Sequence, residues 1–372
     1  MIQKEVSIFF VVLLATMLLA ACDGSDSSGF NATDGDNVQI ETEVEAESEI
    51  EKIAEDGDES ELEIEPESEN TEIANKTAIP SAPVLDVVST GTTLKFHADS
   101  ETPIEIGTNS DTEAVAPLAW EARESLELNT PGVLKVFARF KDAPKNTALF
   151  SYVYHVQASY PPAADVEGST AISMNDPRIK RWATEVVTPV EYGSDVDEKW
   201  RTPEKAFGAA SGDFNDIVSL GEGGVITFRF EPPISDNEGY DFAVFENSFD
   251  DRFLELAFVE VSSDGETFIR FDSAYLGETT VPSFGQHECS LIGSLAGKYR
   301  AGYGTPFDLD TLSNHPDTIQ GNLDLQGIRY IRIVDIIGDG RETDSFGHAI
   351  YDPYPTVQSA GFDLEAIGVL SP

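Results

Sequence analysis

From about residue 80 onward, apolar residues come in short runs cut by turn formers, and that pattern admits strands rather than helices. Ile226, Phe228 and Phe230 alternate with Thr227 and Arg229, the signature of a strand with one buried and one wet face. The same reading predicts strands at 224–230, 240–246, 255–262, 267–271, 328–335 and 362–369, with Ser263-Asp264-Gly265 as a hairpin connection. One short helix is predicted over 176–187, with Asn175 or Asp176 as its cap and Pro177 in its first position. No strand–helix–strand alternation runs through this stretch, so a jelly-roll β-sandwich over 159–372 is expected. Ahead of it, strands are predicted at 84–89, 93–98, 125–128, 132–140 and 149–156. Turn formers such as Pro131-Gly132 separate them, which is the spacing of a small Ig-like sandwich over 80–158. The fold class is therefore all-β.

The preceding segment, 22–79, cannot join either core. Between Asp23 and Lys76 stand twenty acidic residues against two lysines, and glutamate occupies every odd position from Glu41 to Glu51. Such a chain cannot bury enough apolar surface to offset its ordering entropy, so a disordered, self-repelling spacer is expected. A cation-buffering or partner-binding tail is the alternative. The formal net charge of −45 excludes nucleic acid as a natural partner and makes anionic lipid headgroups a poor one.

The first residues explain where the spacer is tied. Lys4 and the apolar run 6–19 have the layout of an export signal. Leu19-Ala20-Ala21-Cys22 then resembles the lipobox of bacterial lipoproteins. That resemblance implies removal of 1–21, acylation of Cys22 and a lipid anchor in the cell envelope outside the cytoplasm, at the outer membrane or cell surface. Two or more acyl chains make such an anchor stable. A single-pass membrane anchor is the other reading, but the run is short of the ~20 residues that span a bilayer. Asp23 resembles an inner-membrane retention signal of enteric bacteria. With Cys22 acylated, Cys289 has no partner in the chain, so neither a disulfide framework nor a cysteine metal site is expected.

Two further resemblances bear on the folded part. Residues 132–138 (Gly-Val-Leu-Lys-Val-Phe-Ala), with Thr102-Pro103-Ile104, Leu126-Glu127-Leu128 and Tyr152-Val153-Tyr154-His155-Val156, resemble the C-terminal-type module of chitobiases and β-hexosaminidases. That module is accessory and implies no catalysis. In the larger domain, Val218-Ser219-Leu220-Gly221-Glu222-Gly223-Gly224 is followed by Asp241-Phe242-Ala243-Val244-Phe245-Glu246-Asn247. Ile331-Arg332-Ile333-Val334-Asp335 and Gly361-Phe362-Asp363-Leu364-Glu365-Ala366-Ile367 close the series. The order and spacing are similar to those of bacterial cell-surface proteins whose domains resemble galactose-binding-like, discoidin-type jelly rolls.

Strand-end residues Asp241, Glu246, Asn247, Asp335 and Asp363 offer hard oxygen donors, and with few cations nearby they suit calcium. A structural calcium near a strand end is also what the galactose-binding-like resemblance implies. The other reading makes these residues turn caps. Asp335, Asp339 and Asp344 with two glycines form either a cation loop without EF-hand spacing or a solvated loop. Gly221, Gly223 and Gly224 lack the lysine and helix of a phosphate loop, which leaves backbone freedom before a strand as their role. Phe346, His348, Tyr351, Asp352 and Tyr354 either form an aromatic ligand platform or pack a long loop onto the sandwich.

No G-x-S-x-G, H-E-x-x-H, P-loop or S-x-x-K motif occurs. The expectation is a non-enzymatic, membrane-tethered surface protein that binds a glycan or small ligand with structural calcium. An adhesion or scaffold protein partnering an outer-membrane uptake system is a second reading. A carboxylate-dependent glycoside hydrolase, which needs only two acidic residues beside a cleft, is a third.

Overall fold

The computed structural model describes residues 79–98, 100–144 and 149–371. The expected signal segment 1–21, Cys22 and the acidic stretch to residue 78 lie outside the described residues. The described chain is all-β, with its α-helix limited to the single turn Pro316–Ile319. No helix among the described residues is long and apolar enough to cross a membrane.

The smaller sandwich is built on a five-stranded sheet in the order Val87–Ser89, Phe150–Gln157, Gly132–Phe140, Ile104–Asn109 and Glu121–Ala122. Thr92–Lys95 pairs with Ser125–Leu128 to form the second layer. Val136, Ala138, Phe150, Tyr154 and Val156 from the sheet meet Leu94, Phe96 and Leu128 in one buried core. Ile104–Asn109 was not among the predicted strands. It carries two inward apolar side chains, Ile104 and Ile106, while Glu105 on its other face is ion-paired with Arg139 at 2.8 Å. Gly107 then leaves room for the chain that crosses it: a Cβ there would stand 2.3 Å from the Ala119 carbonyl oxygen.

The larger sandwich has two antiparallel layers. One holds Val218–Ser219, Asp363–Leu370, Phe242–Glu246, Tyr303–Phe307 and Ile172–Ser173 in that order; the other holds Val225–Ile234, Ile328–Asp335, Ala257–Ser262 and Ile269–Arg270. Phe228, Phe242, Phe271, Phe307 and Phe362 fill the space between them, each worth about 1.5–3 kcal/mol when fully buried. Every residue of Asp363–Leu370 and of Phe242–Glu246 is buried. Their outer face is covered in turn by Ile172, Met174, Ile179 and Trp182, which explains the near-continuous apolar runs in both strands.

That cover corrects the predicted helix over 176–187. Asp176 does cap a turn, accepting the Arg178 N–H at 2.8 Å, but the chain then runs as the strand Ile179–Trp182 against Asp363–Leu370. Ile179 and Trp182 pack over Gly368, where a Cβ would come within 3.0 Å of the indole ring. Pairing with the sheet edge and the β-branched run Val186-Val187-Thr188 outweigh the local capping signal.

The two sandwiches share contacts. Asp272 of the larger one accepts the Val84 N–H at 2.8 Å, and Ala274 joins the smaller core. Tyr160 and Leu85 close over Gly293, where a Cβ would stand 2.8 Å from the tyrosine ring.

Candidate functional site

A cleft of about 540 Å³ opens between the face of the smaller sandwich and the loops at one end of the larger. Asp86 and Val87 enter from the first strand of the five-stranded sheet, and Lys135, Ser151, Tyr152, Val153 and His155 from its neighbours. Tyr240, just before Phe242–Glu246, and Asp308, Asp310 and Asn314, just after Tyr303–Phe307, complete the wall. These two strands are antiparallel neighbours, so the residue before one and the residues after the other meet at the same end. Burial pushes the Asp86 carboxyl up to about 7, opposed by a hydrogen bond with Tyr240. Burial and then repulsion by Asp86 push Asp308 up to about 7. Two phenol rings beside half-buried carboxylates and an amide can stack on a sugar face and bond its hydroxyls.

The metal candidates separate into two groups. Asp241 stands at the cleft end of its strand, with oxygens of Asp236 and Asp308 mutually within 4.8 Å. Its own carboxylate already accepts the N–H groups of Asn237 and Leu309, both at 2.9 Å. Glu246 and Asn247 lie at the other end of that strand, and Asp335 and Asp363 belong to different sheets. The structure therefore does not bring the five to one point.

Glu246, Asn247 and Asp363 do come together. Asn247 Nδ2 donates to Asp363 Oδ2 at 3.2 Å, and Glu246 accepts the Ser248 N–H at 2.8 Å. Asp363 is 4% exposed, and against its burial stand the Ser219 hydroxyl opposite it in register and the Asn247 amide. Glu255 was missed by the sequence reading. It lies just ahead of Ala257–Ser262, and burial, then repulsion from Asp363, Glu246, Asp352 and Asp335, holds it well above its ordinary range. Burial, then Asp363, does the same to Glu246, while burial raises Asp363 to about 7. Among the described residues no lysine, arginine or histidine forms an ion pair with any of these carboxylates. Among the described residues the trio of carboxylates with oxygens mutually within 4.8 Å is Asp236, Asp241 and Asp308, so Glu246, Glu255 and Asp363 would have to draw closer to share a cation.

Asp335 has another task. It accepts the N–H of Gly223 and of Phe362, both at 2.6 Å, so the glycine-rich turn cradles a carboxylate of its own chain. Asp344 accepts N–H groups from Tyr275, Phe346 and His348, and Asp339 pairs with Arg341. The three aspartates of the 335–344 stretch thus serve separate partners.

The aromatic insertion is likewise divided. Phe346 packs on the core of the smaller sandwich and Tyr351 on a satellite core of the larger. Asp352 is buried and accepts the Leu256 N–H at 2.9 Å. His348 and Phe346 border a separate hollow with Thr92 and Lys95, and Tyr354 is 36% exposed.

A row of phenylalanines that the sequence reading missed lies beside Asn247, whose Nδ2 donates to the Phe214 carbonyl at 3.0 Å. Ring centroids of Phe214 and Phe249 are 5.0 Å apart, those of Phe249 and Phe253 6.0 Å, and those of Phe253 and Phe284 6.1 Å. Phe249 is 63% and Phe284 83% exposed. Their scattered positions carry no periodic signal.

No family model matches the chain, and no curated protein matches it. Among solved structures 25 chains match, one of them SusE-like protein BT2857, at 9% identity and TM-score 0.29 over 78% of this chain and 95% of that one.

Proposed function

We propose that this chain is a membrane-tethered surface protein, not an enzyme, that binds a glycan in the cleft between its two sandwiches and is stabilised by calcium. The cleft carries the reading: Tyr152 and Tyr240 supply apolar ring faces, and Asp86, Asp308, Asp310 and Asn314 supply hydrogen-bond partners for hydroxyls. Cys22 provides the lipid anchor, and the acidic stretch after it holds the folded part off the bilayer. Glu246, Glu255 and Asp363, three buried carboxylates without a cationic partner among the described residues, are the calcium ligands in this reading. The motif resemblance to galactose-binding-like jelly rolls and to the chitobiase-type accessory module supports a binding role.

The test is a screen of the whole protein against labelled polysaccharides, followed by Tyr152→Ala and Tyr240→Ala. Each substitution should lower affinity about tenfold, in keeping with about 1–3 kcal/mol for a lost aromatic contact. Unchanged affinity in both variants would discard the cleft. Shortening of the polysaccharide during incubation would turn the reading to a hydrolase.

The exposed phenylalanine row favours a second reading, an adhesion or scaffold role beside an outer-membrane uptake protein. Capture of one membrane protein by the wild type, lost on Phe249→Asp and Phe284→Asp with glycan binding intact, would establish it. Capture unaffected by both substitutions would dismiss it.

A further inference from the structure

We propose that a second hollow, between the strand Thr92–Lys95 and the hairpin tip that carries Phe346 and His348, is a separate binding site for a neutral sugar unit, independent of the cleft above. It measures about 350 Å³, within the range of about 300–1,000 Å³ usual for small-molecule sites. Thr90, Thr92, Thr93 and Lys95 line it from the smaller sandwich, and Leu276, Phe346 and His348 from the larger. The tip joins Asp339–Thr343 to Ala349–Tyr351, which pair as antiparallel strands.

The hollow runs along an open strand edge. Successive strand side chains point to opposite faces, yet Thr92 and Thr93 both line it and no residue of Ser125–Leu128 does, as a groove beside the far edge requires. Phe96 donates its N–H to the Glu124 carbonyl at 2.9 Å, on the side of Ser125–Leu128. His97 instead exchanges both its backbone bonds with Ser81, each at 2.8 Å, on the other side. Alternation along the strand therefore turns the N–H and C=O of Thr93 and of Lys95 the same way as those of His97. The chain after Ser81 leaves that edge, Val84 donating its N–H to Asp272. Among the described residues Thr92–Lys95 has Ser125–Leu128 as its one paired strand.

That edge sets donors and acceptors side by side. The N–H and C=O groups of Thr93 and Lys95 alternate, and the hydroxyls of Thr90 and Thr93 serve in either role. A sugar hydroxyl both donates and accepts, so it satisfies such a mixed row. A carboxylate or phosphate only accepts and an ammonium only donates, and each leaves half of the row without a partner. Phe346 and Leu276 supply apolar surface for the C–H face of a pyranose. The rings of Phe346 and His348 lie 6.4 Å apart at 26°. Asp344 Oδ2 accepts from His348 Nδ1 at 3.0 Å, which orients the imidazole and leaves Nε2 as its free ring nitrogen. Charge does not select the ligand: Lys95 lines the hollow, but Glu127 stands opposite Thr93 and Asp344 lies behind His348.

The test is saturation-transfer NMR of the whole protein with glucose, galactose and mannose, and with glucosamine and glucuronic acid as charged comparators. At least one neutral hexose should bind saturably and keep its affinity when Tyr152→Ala and Tyr240→Ala together disable the cleft. Thr93→Pro should weaken that binding about tenfold, because it removes an edge N–H that takes no part in pairing with Ser125–Leu128. Lys95→Ala, at an exposed side chain, is the second variant should the first fail to fold, with a weakening of the same order. Binding lost with the cleft tyrosines, or unchanged in both Thr93→Pro and Lys95→Ala, overturns the second site and leaves the cleft reading standing. Binding of a charged sugar with no neutral hexose bound overturns the proposal through its ligand class. Binding of none of the five also overturns it, and the polysaccharide screen then decides the cleft on its own.

Discussion

Asp335 accepts the backbone N–H of Phe362 at 2.6 Å, and this bond joins the end of Ile328–Asp335 in one sheet to the entrance of Asp363–Leu370 in the other. The second oxygen of Asp335 takes the Gly223 N–H, so a single buried carboxylate ties three chain segments at one end of the sandwich. Gly361 makes that approach feasible: a Cβ there would stand 2.7 Å from Asp335 Oδ1.

Asp335→Asn should cost about 1–3 kcal/mol in urea unfolding. The amide group presents an N–H where the carboxylate accepted one, leaving a buried donor unsatisfied. A loss below about 0.5 kcal/mol, the range of ordinary surface substitutions, would contradict the bridging role.

In chelator, stability should fall as pH rises from about 5 to about 8. Glu246, Glu255, Asp352 and Asp363 all have folded-state values above their ordinary ones, Asp363 reaching about 7, so each favours folding while protonated. Their contribution is complete below the unfolded carboxylate range and is lost as pH climbs through the folded values. Millimolar calcium should flatten that loss, by about 2.7 kcal/mol at a hundredfold excess over Kd.

Asp363→Asn should behave oppositely in the two conditions. Without calcium at about pH 8 it should be at least as stable as wild type, because a repelling buried charge is gone. With calcium it should be less stable, because a ligand is missing. Equal unfolding curves for wild type and variant in both conditions, measured by urea titration, would reduce Asp363 to a turn residue.

Gly338→Ala should destabilise by at least about 2 kcal/mol. Gly338 has φ +78°, and its Cβ would fall 1.8 Å from Asp352 Oδ1, whose carboxylate holds the Leu256 N–H from its other oxygen. A thermal midpoint unchanged from wild type would show that the turn yields without cost.

Metabolic labelling with a fatty-acid analogue should mark the wild type and leave Cys22→Ala unlabelled. Labelling of both to the same extent would place the anchor elsewhere.

The sequence by itself determined most of the long strands of both sandwiches, because period-two burial is a local property of each run, but Ile104–Asn109 and Tyr303–Phe307 escaped it. Ser125–Leu128, Gly132–Phe140 and Ile328–Asp335 stand where the pattern put them. The same locality misjudged 176–187, where capping residues read as a helix and a neighbouring sheet edge claimed the chain. It also chose the right polar residues without their grouping. Asp241 and Glu246 bracket one five-residue strand, so one reaches the cleft and the other the buried carboxylates. Only the tertiary structure decided that division, brought buried Glu255 within repelling reach of Glu246 and Asp363, and placed Asp86 opposite Asp308. Contacts between residues more than two hundred positions apart depend on how sheets stack and loops close, and no local period encodes that.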